Sequence, residues 1–404
     1  MSQVAERHGT FVDAFEAFRT SSGFGPEWLR TARAAAFGRF LEQGFPTTRD
    51  EEWKFTNVAP IAQIEWQGAA AQISVINRDL PDGVTISTLR EAWATQPALE
   101  GPSLKSDHPF VLLNTAFFED GFFIHIAPKT VVTDPIHLVC VAEPGDAPVM
   151  IAPRIFVVVG EQAQVSIVER YQGRDGQPVL TTAVTEFLVG PGAVVDHVKV
   201  QQEASSTFHM ASMFVHQHRA STFASRAVTF GGRVARNDIT ATLAGEGAEC
   251  TLNGLYVADG DTLVDTHTTI DHAQPHCPSH EVYKGILTGK AKGVFNGKII
   301  VRPDAQKTDA KQTNKALLLS GDATINTKPQ LEIFADDVKC THGATVGQLD
   351  DTQLFYLRAR GIALADARNI LIHAFASDVL NGIRHDAIRE ELEVALVQKL
   401  HLPE

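Results

Sequence analysis

IHLVCVA (136–142), RIFVVVG (154–160), AQVSIVER (163–170), LTTAVTEFLVG (180–190), AVVDHVKV (193–200), DITATL (238–243), ECTLNGLYV (249–257) and FNGKIIV (295–301) follow one another along the middle of the chain. Each is short and dense in Val, Ile and Thr, the residues that pack well on a pleated surface. Between them lie breaks such as Gly173-Arg174-Asp175-Gly176, Gly190-Pro191-Gly192 and Asp259-Gly260-Asp261. The spacing is near the ~8–12 residues of an all-β barrel, sandwich or solenoid. The same texture runs from about residue 130 to 345 with no helical interruption, which is long for one sandwich. Leu252-Asn253-Gly254-Leu255 is echoed by Phe295-Asn296-Gly297-Lys298, but two occurrences do not make a period.

The pattern changes on both sides. Phe11, Phe15 and Phe18 recur on one face of a helix. Pro26-Glu27 opens a second helix through TARAAAFGRFLEQG, and Thr48 with Glu51 has the form of a capping box ahead of Glu52-Trp53-Lys54-Phe55-Thr56-Asn57. After residue 349, Asp350–Arg360 and Leu364–Leu380 are rich in Ala, Leu and Arg, and Ile388, Leu392, Ala395 and Leu396 form an amphipathic face. The expected plan is a helical domain over 1–100, a β core over 101–348 and a helical domain over 349–404. Helices at the ends would cover the exposed terminal edges of an open solenoid.

Composition bounds the function. The 404 residues allow two or three domains. A formal net charge of −13 disfavours nucleic acid and anionic membrane surfaces as partners. The first residues carry Glu6, Asp13 and Glu16 and no apolar core behind a basic start, so no secretory signal is expected. Apolar runs such as Ile155–Val159 and Ala316–Leu319 fall far short of a membrane span. Cytoplasmic residence is the expectation, with reduced thiols at Cys140, Cys250, Cys277 and Cys340, which include no C-x-x-C pair.

Several site chemistries fail on wording. Gly285-Ile-Leu-Thr-Gly289-Lys290-Ala291 and Gly293-Val-Phe-Asn-Gly297-Lys298-Ile299 have the wrong length for a P-loop and lack its Ser/Thr, so ATP hydrolysis is not expected. His272, His276, Cys277 and His280 are typical metal-ligand types, but their spacing fits no zinc pattern and Pro275 and Pro278 mark a turn. Asp261, Asp265 and Asp271 resemble a carbohydrate enzyme's carboxylates and read more simply as turn and solvent-facing residues. The sharpest feature is Phe334-Ala-Asp-Asp-Val-Lys-Cys340-Thr-His342-Gly343. In an extended chain Cys340 and His342 point to one side and could offer a thiolate and an imidazole to iron, with Lys339 and His342 favouring the thiolate. The plainer alternative is a buried Cys and a hydrogen-bonded His at a strand end.

The stretch INTKPQLEIFADDVKCTHGATVG (325–347) with the following LFYLRARGI resembles the C-terminal signature of the SufB/SufD family of iron–sulfur cluster assembly proteins. Asp271-His272-Ala-Gln-Pro275-His276-Cys277-Pro-Ser279 with Tyr283-Lys284-Gly285-Ile286 resembles the mid-core motif of its SufD branch, and Glu52-Trp53-Lys54-Phe55-Thr56 the N-terminal motif. No cysteine precedes residue 140, unlike the SufB branch. The resemblance implies a right-handed parallel β-helix between helical domains, and a non-catalytic scaffold subunit paired with SufB and docked to the ABC-type ATPase SufC. It makes Cys340 and His342 transient ligands of a nascent cluster at the SufB interface, completed by partner ligands. It places SufC docking on the C-terminal helices, with Leu364, Ile370, Leu371, Phe375, Leu380, Ile388 and Leu392 as the contact residues. No cofactor is expected to stay bound to the isolated chain. Flavin is associated with such complexes, but no dinucleotide motif here supports it. A homodimer is an expectation for the chain alone. Two competing readings are a secreted-type β-helical polysaccharide-active enzyme and a purely structural SufB–SufC adaptor in which Cys340 and His342 are inert.

Overall fold

Alternating side chains give each Val/Ile/Thr-rich run two faces, and here both faces are buried, as in sheets covered on each side. The computed structural model describes residues 9–20, 27–68, 72–76, 80–95 and 101–400. The N-terminal region holds helices α1 (Gly9–Arg19), α2 (Glu27–Gln43), α3 (Ala59–Ala62), α4 (Leu89–Thr95) and α5 (Pro109–Phe117). It also holds strands β1 (Gln67–Gly68), β2 (Gln72–Val75) and β3 (Val84–Thr88), so the first hundred residues are not wholly helical as expected. Pro26 and Glu6 lie outside the described residues.

The core then runs through β4 (Phe122–Ile126), β5 (Ile136–Ala142), β6 (Val149–Ile151), β7 (Arg154–Val159), β8 (Gln164–Gly173), β9 (Val179–Val189) and β10 (Val194–Gln202). It continues through β11 (Phe208–Gln217), β12 (Thr222–Thr229), β13 (Val234–Leu243), β14 (Glu249–Ala258) and β15 (Leu263–His272). It ends with β16 (Pro278–Leu287), β17 (Lys292–Val301), β18 (Asp309–Leu318), β19 (Thr324–Ile333) and β20 (Lys339–Gly347). Helices α6 (Asp351–Ala359), α7 (Leu364–Leu380) and α8 (Asp386–Leu400) follow.

From β7 onward successive strands alternate between two sheets, one ordered β3-β4-β7-β9-β11-β13-β15-β17-β19 with β1 and β6 beside that path, and the other β2-β5-β8-β10-β12-β14-β16-β18-β20. Val234 pairs with Leu263, Leu263 with Lys292 and Lys292 with Thr324, all parallel. The chain is therefore a parallel β-solenoid with a period of about 30 residues, inside the range of solenoid repeats. Its interior is the apolar column that includes Ile167, Phe187, Phe223, Leu252, Ile270 and Phe295. One corner of each coil turns through a residue in the left-handed region: Lys129, Gln162, Gly192, Ala220, Gly247, His276 and Lys307.

The terminal helices lie along the flanks of the solenoid, where the sequence reading had them covering its ends. Phe11, Phe15, Phe37, Phe40, Trp53 and Phe110 pack with Phe156, Phe208, Val234, Leu263 and Val294 on the outer face of the first sheet. Ile372, Ala376, Val379, Leu380, Ile388, Leu392 and Leu396 pack with Val168, Val198, Val228, Leu255 and Ile286 on the outer face of the second. The physical reason is area: the apolar outer faces of two long sheets exceed anything at a coil's end, and burial follows area. At the first end the sheets finish in β2 and β3, short edge strands paired antiparallel. At the other end they finish in the longer β19 and β20, paired parallel on one side only.

Candidate functional site

The open end carries the Cys/His pair. In β20, Cys340 lies opposite Ala310 and His342 opposite Gln312 of β18, and the other edge of β20 has no neighbouring strand. Cys340 is half-buried against the interior cluster of Ile299, Val301 and Ala310, whereas His342 is exposed. The i, i+2 spacing sets both on the inward face of the strand. Burial pushes the Cys340 thiol up, with Asp309 adding to the shift against a backbone hydrogen bond from Ala310. This reverses the expected thiolate: Lys339 projects from the opposite face of the strand, so its charge does not offset desolvation. Two donors are short of the roughly four that a cluster takes. Among the described residues no group of three or more His, Cys, Asp or Glu could hold a metal ion.

Behind the pair the interior is polar. Gln312 Nε2 donates to Glu281 Oε2 at 2.7 Å, and the ladder places Leu252, Glu281, Gln312 and His342 side by side on successive coils. Burial drives the Glu281 carboxyl up to about 7, partly offset by hydrogen bonds from Gln312 and Thr268. Deeper in the solenoid, His197 Nε2 meets Glu169 Oε2 at 3.1 Å, Lys199 Nζ donates to Asn237 Oδ1 at 2.7 Å, and His209 Nδ1 meets Glu203 Oε2 at 2.7 Å. Burial lowers Lys199 to about 8 despite Glu169 and Glu203.

The other candidates separate. His272 is buried, its Nε2 3.0 Å from Ser279 Oγ, and burial lowers it to about 4. His276 is one rung of the left-handed corner (φ 59°), and buried Cys277 Sγ donates weakly to the carbonyls of Gly245 and Pro275. These residues build a turn. Asp265, read as solvent-facing, is fully buried: Arg236 Nη1 donates to its Oδ2 at 2.8 Å and His267 Nε2 lies 3.0 Å from its Oδ1. Asp271 is occupied by a two-pronged pair with Arg302 at 2.9 and 2.7 Å. Neither carboxylate is left free for general acid or base work.

Asp265 belongs to a clamp on the outer face of the first sheet. The Arg236 guanidinium lies 3.7 Å from the Trp53 ring centroid and donates to Asp238 and to the Glu52 carbonyl. Glu52 reaches His267 Nδ1 at 3.2 Å, and Glu51 pairs with Lys328. The capping box expected at Thr48/Glu51 does not form, because both glutamates are drawn to cations and polar groups of the sheet, and Asp50 Oδ2 instead accepts from the Thr47 N–H at 2.7 Å. The Glu52-Trp53-Lys54-Phe55-Thr56 motif thus fastens the N-terminal region to the solenoid, beside a cavity of about 340 Å³.

On the C-terminal helices, Leu380, Ile388 and Leu392 are fully or nearly fully buried against the second sheet, so they hold α7 and α8 in place and present nothing to a partner. Leu371 and Phe375 are half-buried, and the Phe375 carbonyl accepts from Lys284 Nζ at 2.7 Å. Leu364 and Ile370 are exposed. Phe355 (73% exposed) and Tyr356 (57%) join them as exposed apolar residues and were not singled out from sequence. Their signal was present in the adjacent Phe355-Tyr356 of α6, whose four-residue neighbours include no buried position.

Comparison with known proteins places these features in context. Residues 141–375 match the family described as SUF system FeS cluster assembly, SufBD core domain, and residues 72–138 match the SufBD protein N-terminal region. An iron–sulfur cluster assembly SufBD family protein of Synechocystis is 32% identical over 84% of this chain and 84% of its own. The iron–sulfur cluster assembly protein SufD of Escherichia coli is 29% identical over 90% of this chain and 91% of its own. The chloroplastic protein ABCI7 of Arabidopsis thaliana is 32% identical over 84% of this chain and 73% of its own.

Proposed function

This chain belongs to the SufB/SufD family of iron–sulfur cluster assembly proteins, and we propose that within that process it is a non-catalytic scaffold subunit whose open solenoid end is completed by SufB. The observation that carries the reading is β20: an unpaired strand edge bearing one half-buried thiol and one exposed imidazole, two ligands where a cluster needs more. A partner strand beside β20 would satisfy the edge and add donors in one step. The nascent cluster is cargo here, bound between subunits and passed on. Cys340 must lose its proton when it takes iron, which its buried setting delays until a metal ion is present.

Energy from nucleotide hydrolysis would come from a separate chain, the ATPase SufC, since the sequence has no P-loop. Phe355, Tyr356, Leu364 and Ile370, together with Val394 and Val397 of α8, are the large apolar residues exposed on the C-terminal helices and suit such docking. Cytoplasmic residence accords with this role, and among the described residues no helix is long and apolar enough to cross a membrane.

Co-expression with SufB and SufC, followed by anaerobic absorbance and iron analysis, tests the scaffold role. Cys340→Ala and His342→Ala complexes should assemble with loss of most cluster. Wild-type cluster levels in both would reduce the pair to structural residues. Phe355→Ala/Tyr356→Ala should lose SufC in a pull-down with the unfolding midpoint unchanged, and retained capture would move the docking surface elsewhere.

A further inference from the structure

We infer that Gln312 and Glu281 are positioning residues for His342, fixing which ring nitrogen of the imidazole carries the proton and so which one is offered to iron. The inference deepens the scaffold reading and rests on it for its purpose, though not for its test. Gln312 is buried, and its Nε2 donates to Glu281 Oε2 at 2.7 Å. A carboxylate accepts and cannot donate, so it holds the amide with nitrogen inward. That leaves Gln312 Oε1, which is buried and has no hydrogen-bond partner among the described residues. An unsatisfied buried carbonyl is costly and calls for a donor. The ladder neighbour of Gln312 on the outer side is His342, on the inward face of the open strand. An N–H of His342 donating to Oε1 would satisfy it and keep the lone pair of the other nitrogen free, as outer hydrogen bonds do for metal-binding histidines.

Space for the amide is built in. A Cβ at Gly297, on β17 across the interior, would lie 2.1 Å from Gln312 Nε2. The second Asn-Gly of the sequence echo lies inside a strand, where Gly297 leaves the room Gln312 occupies. Burial brings the Glu281 carboxyl to about 7, so the carboxylate that orients the amide is the major form above that pH.

The test is histidine-selective ¹⁵N NMR on the full chain at pH 8, with the His342 signals assigned among the 16 histidines by loss in His342→Gln. Wild type should show one ring nitrogen predominantly protonated. Glu281→Gln, isosteric and neutral, frees the Gln312 amide to reverse and should change the His342 tautomer ratio about 2- to 10-fold, the worth of one hydrogen bond. Gln312→Leu should do the same, and Gln312→Glu/Glu281→Gln, which restores an acceptor beside His342, should return the ratio toward wild type. A ratio that Glu281→Gln and Gln312→Leu both leave unchanged, with far-ultraviolet circular dichroism intact, overturns the inference. Because this readout needs neither iron nor partners, it separates from the scaffold reading. If the ratio responds but His342→Ala and Cys340→Ala leave cluster yield untouched, the relay stands and the assembly role of the pair falls.

Discussion

At the corner where each coil turns, the backbone passes through the left-handed region at Lys129, Gln162, Gly192, Ala220, Gly247, His276 and Lys307. Only two of the seven are glycine, so five side chains sit where an L-residue is strained by roughly 1–2 kcal/mol. Each rung is held by a hydrogen bond to the next coil, such as Ala220 N–H to the Glu246 carbonyl at 2.9 Å and His276 N–H to the Gln306 carbonyl at 2.9 Å. The ladder, not the local sequence, imposes the conformation. Ala220 is exposed and its Cβ contributes no core packing. Ala220→Gly should therefore stabilise the protein by about 0.5–1 kcal/mol after the entropy of the added glycine is subtracted. Urea unfolding measures it, and a destabilised variant would show that the corner is unstrained. The opposite change inside the coil is costly: a Cβ at Gly254 would lie 2.3 Å from the Tyr283 ring, where overpacking has no room to relax.

Apolar area joins the elements on both flanks, and on the first a charged clamp is added to it. The loop that carries Trp53 is held to β13, β15 and β19 through Arg236, His267 and Lys328. Burial alone would lower His267, but Asp265 at 3.0 Å and Glu52 at 3.2 Å overcome it and raise the imidazole to about 9. An unfolded histidine titrates near ~6.5. The folded value is the higher one, so the stabilisation is fully present below about pH 6.5 and is lost as pH rises through about 9. The unfolding midpoint of wild type minus that of His267→Gln should be largest in mildly acidic solution and shrink through pH 9. A difference independent of pH would mean that His267 is neutral in the folded chain. The C-terminal helices instead rest on Ile372, Leu380, Leu392 and Leu396, reinforced by Lys284 with Asp378 and by Arg170 with Glu391 at 2.6 Å. Deleting residues 348–404 to remove partner docking would bare Val168, Val198, Val228, Leu255 and Ile286 to water, so point substitutions on α6 are the cleaner probe.

For the whole molecule the asymmetry of the ends is what matters. At one end the edge strands are the short antiparallel β2 and β3, while at the other the long parallel β19 and β20 leave an edge unpaired beside exposed Ile333, Phe334 and Val346. Free parallel edges with apolar side chains pair with whatever strand is supplied, and in the absence of another partner that is a second copy. The isolated chain should therefore form a dimer through β19 and β20. Ile333→Lys/Val346→Lys places charge on that edge and should shift the species to monomer in sedimentation velocity, with the strand signal in circular dichroism unchanged. A variant that stays dimeric would assign self-association to another face.

The amino-acid sequence alone determined the β-rich core, the helices on either side of it and the family, because Val/Ile/Thr runs, helical periodicity and contiguous motifs are local properties of a chain. It marked Cys340 and His342 for the same reason: they are two residues apart on one strand. The tertiary structure decided what depends on residues a coil or more apart. It put the helices on the flanks, because only assembled sheets have outer faces large enough to bury them. It buried Asp265, Leu380, Ile388 and Leu392, because burial is a matter of what packs opposite. It raised the Cys340 thiol against its basic neighbour, since desolvation by Ile299 and Val301 acts through space. And it set Glu281, Gln312 and His342 side by side on three successive coils, a neighbourhood that no spacing in the chain announces, because solenoid register is set by side-chain stacking between coils.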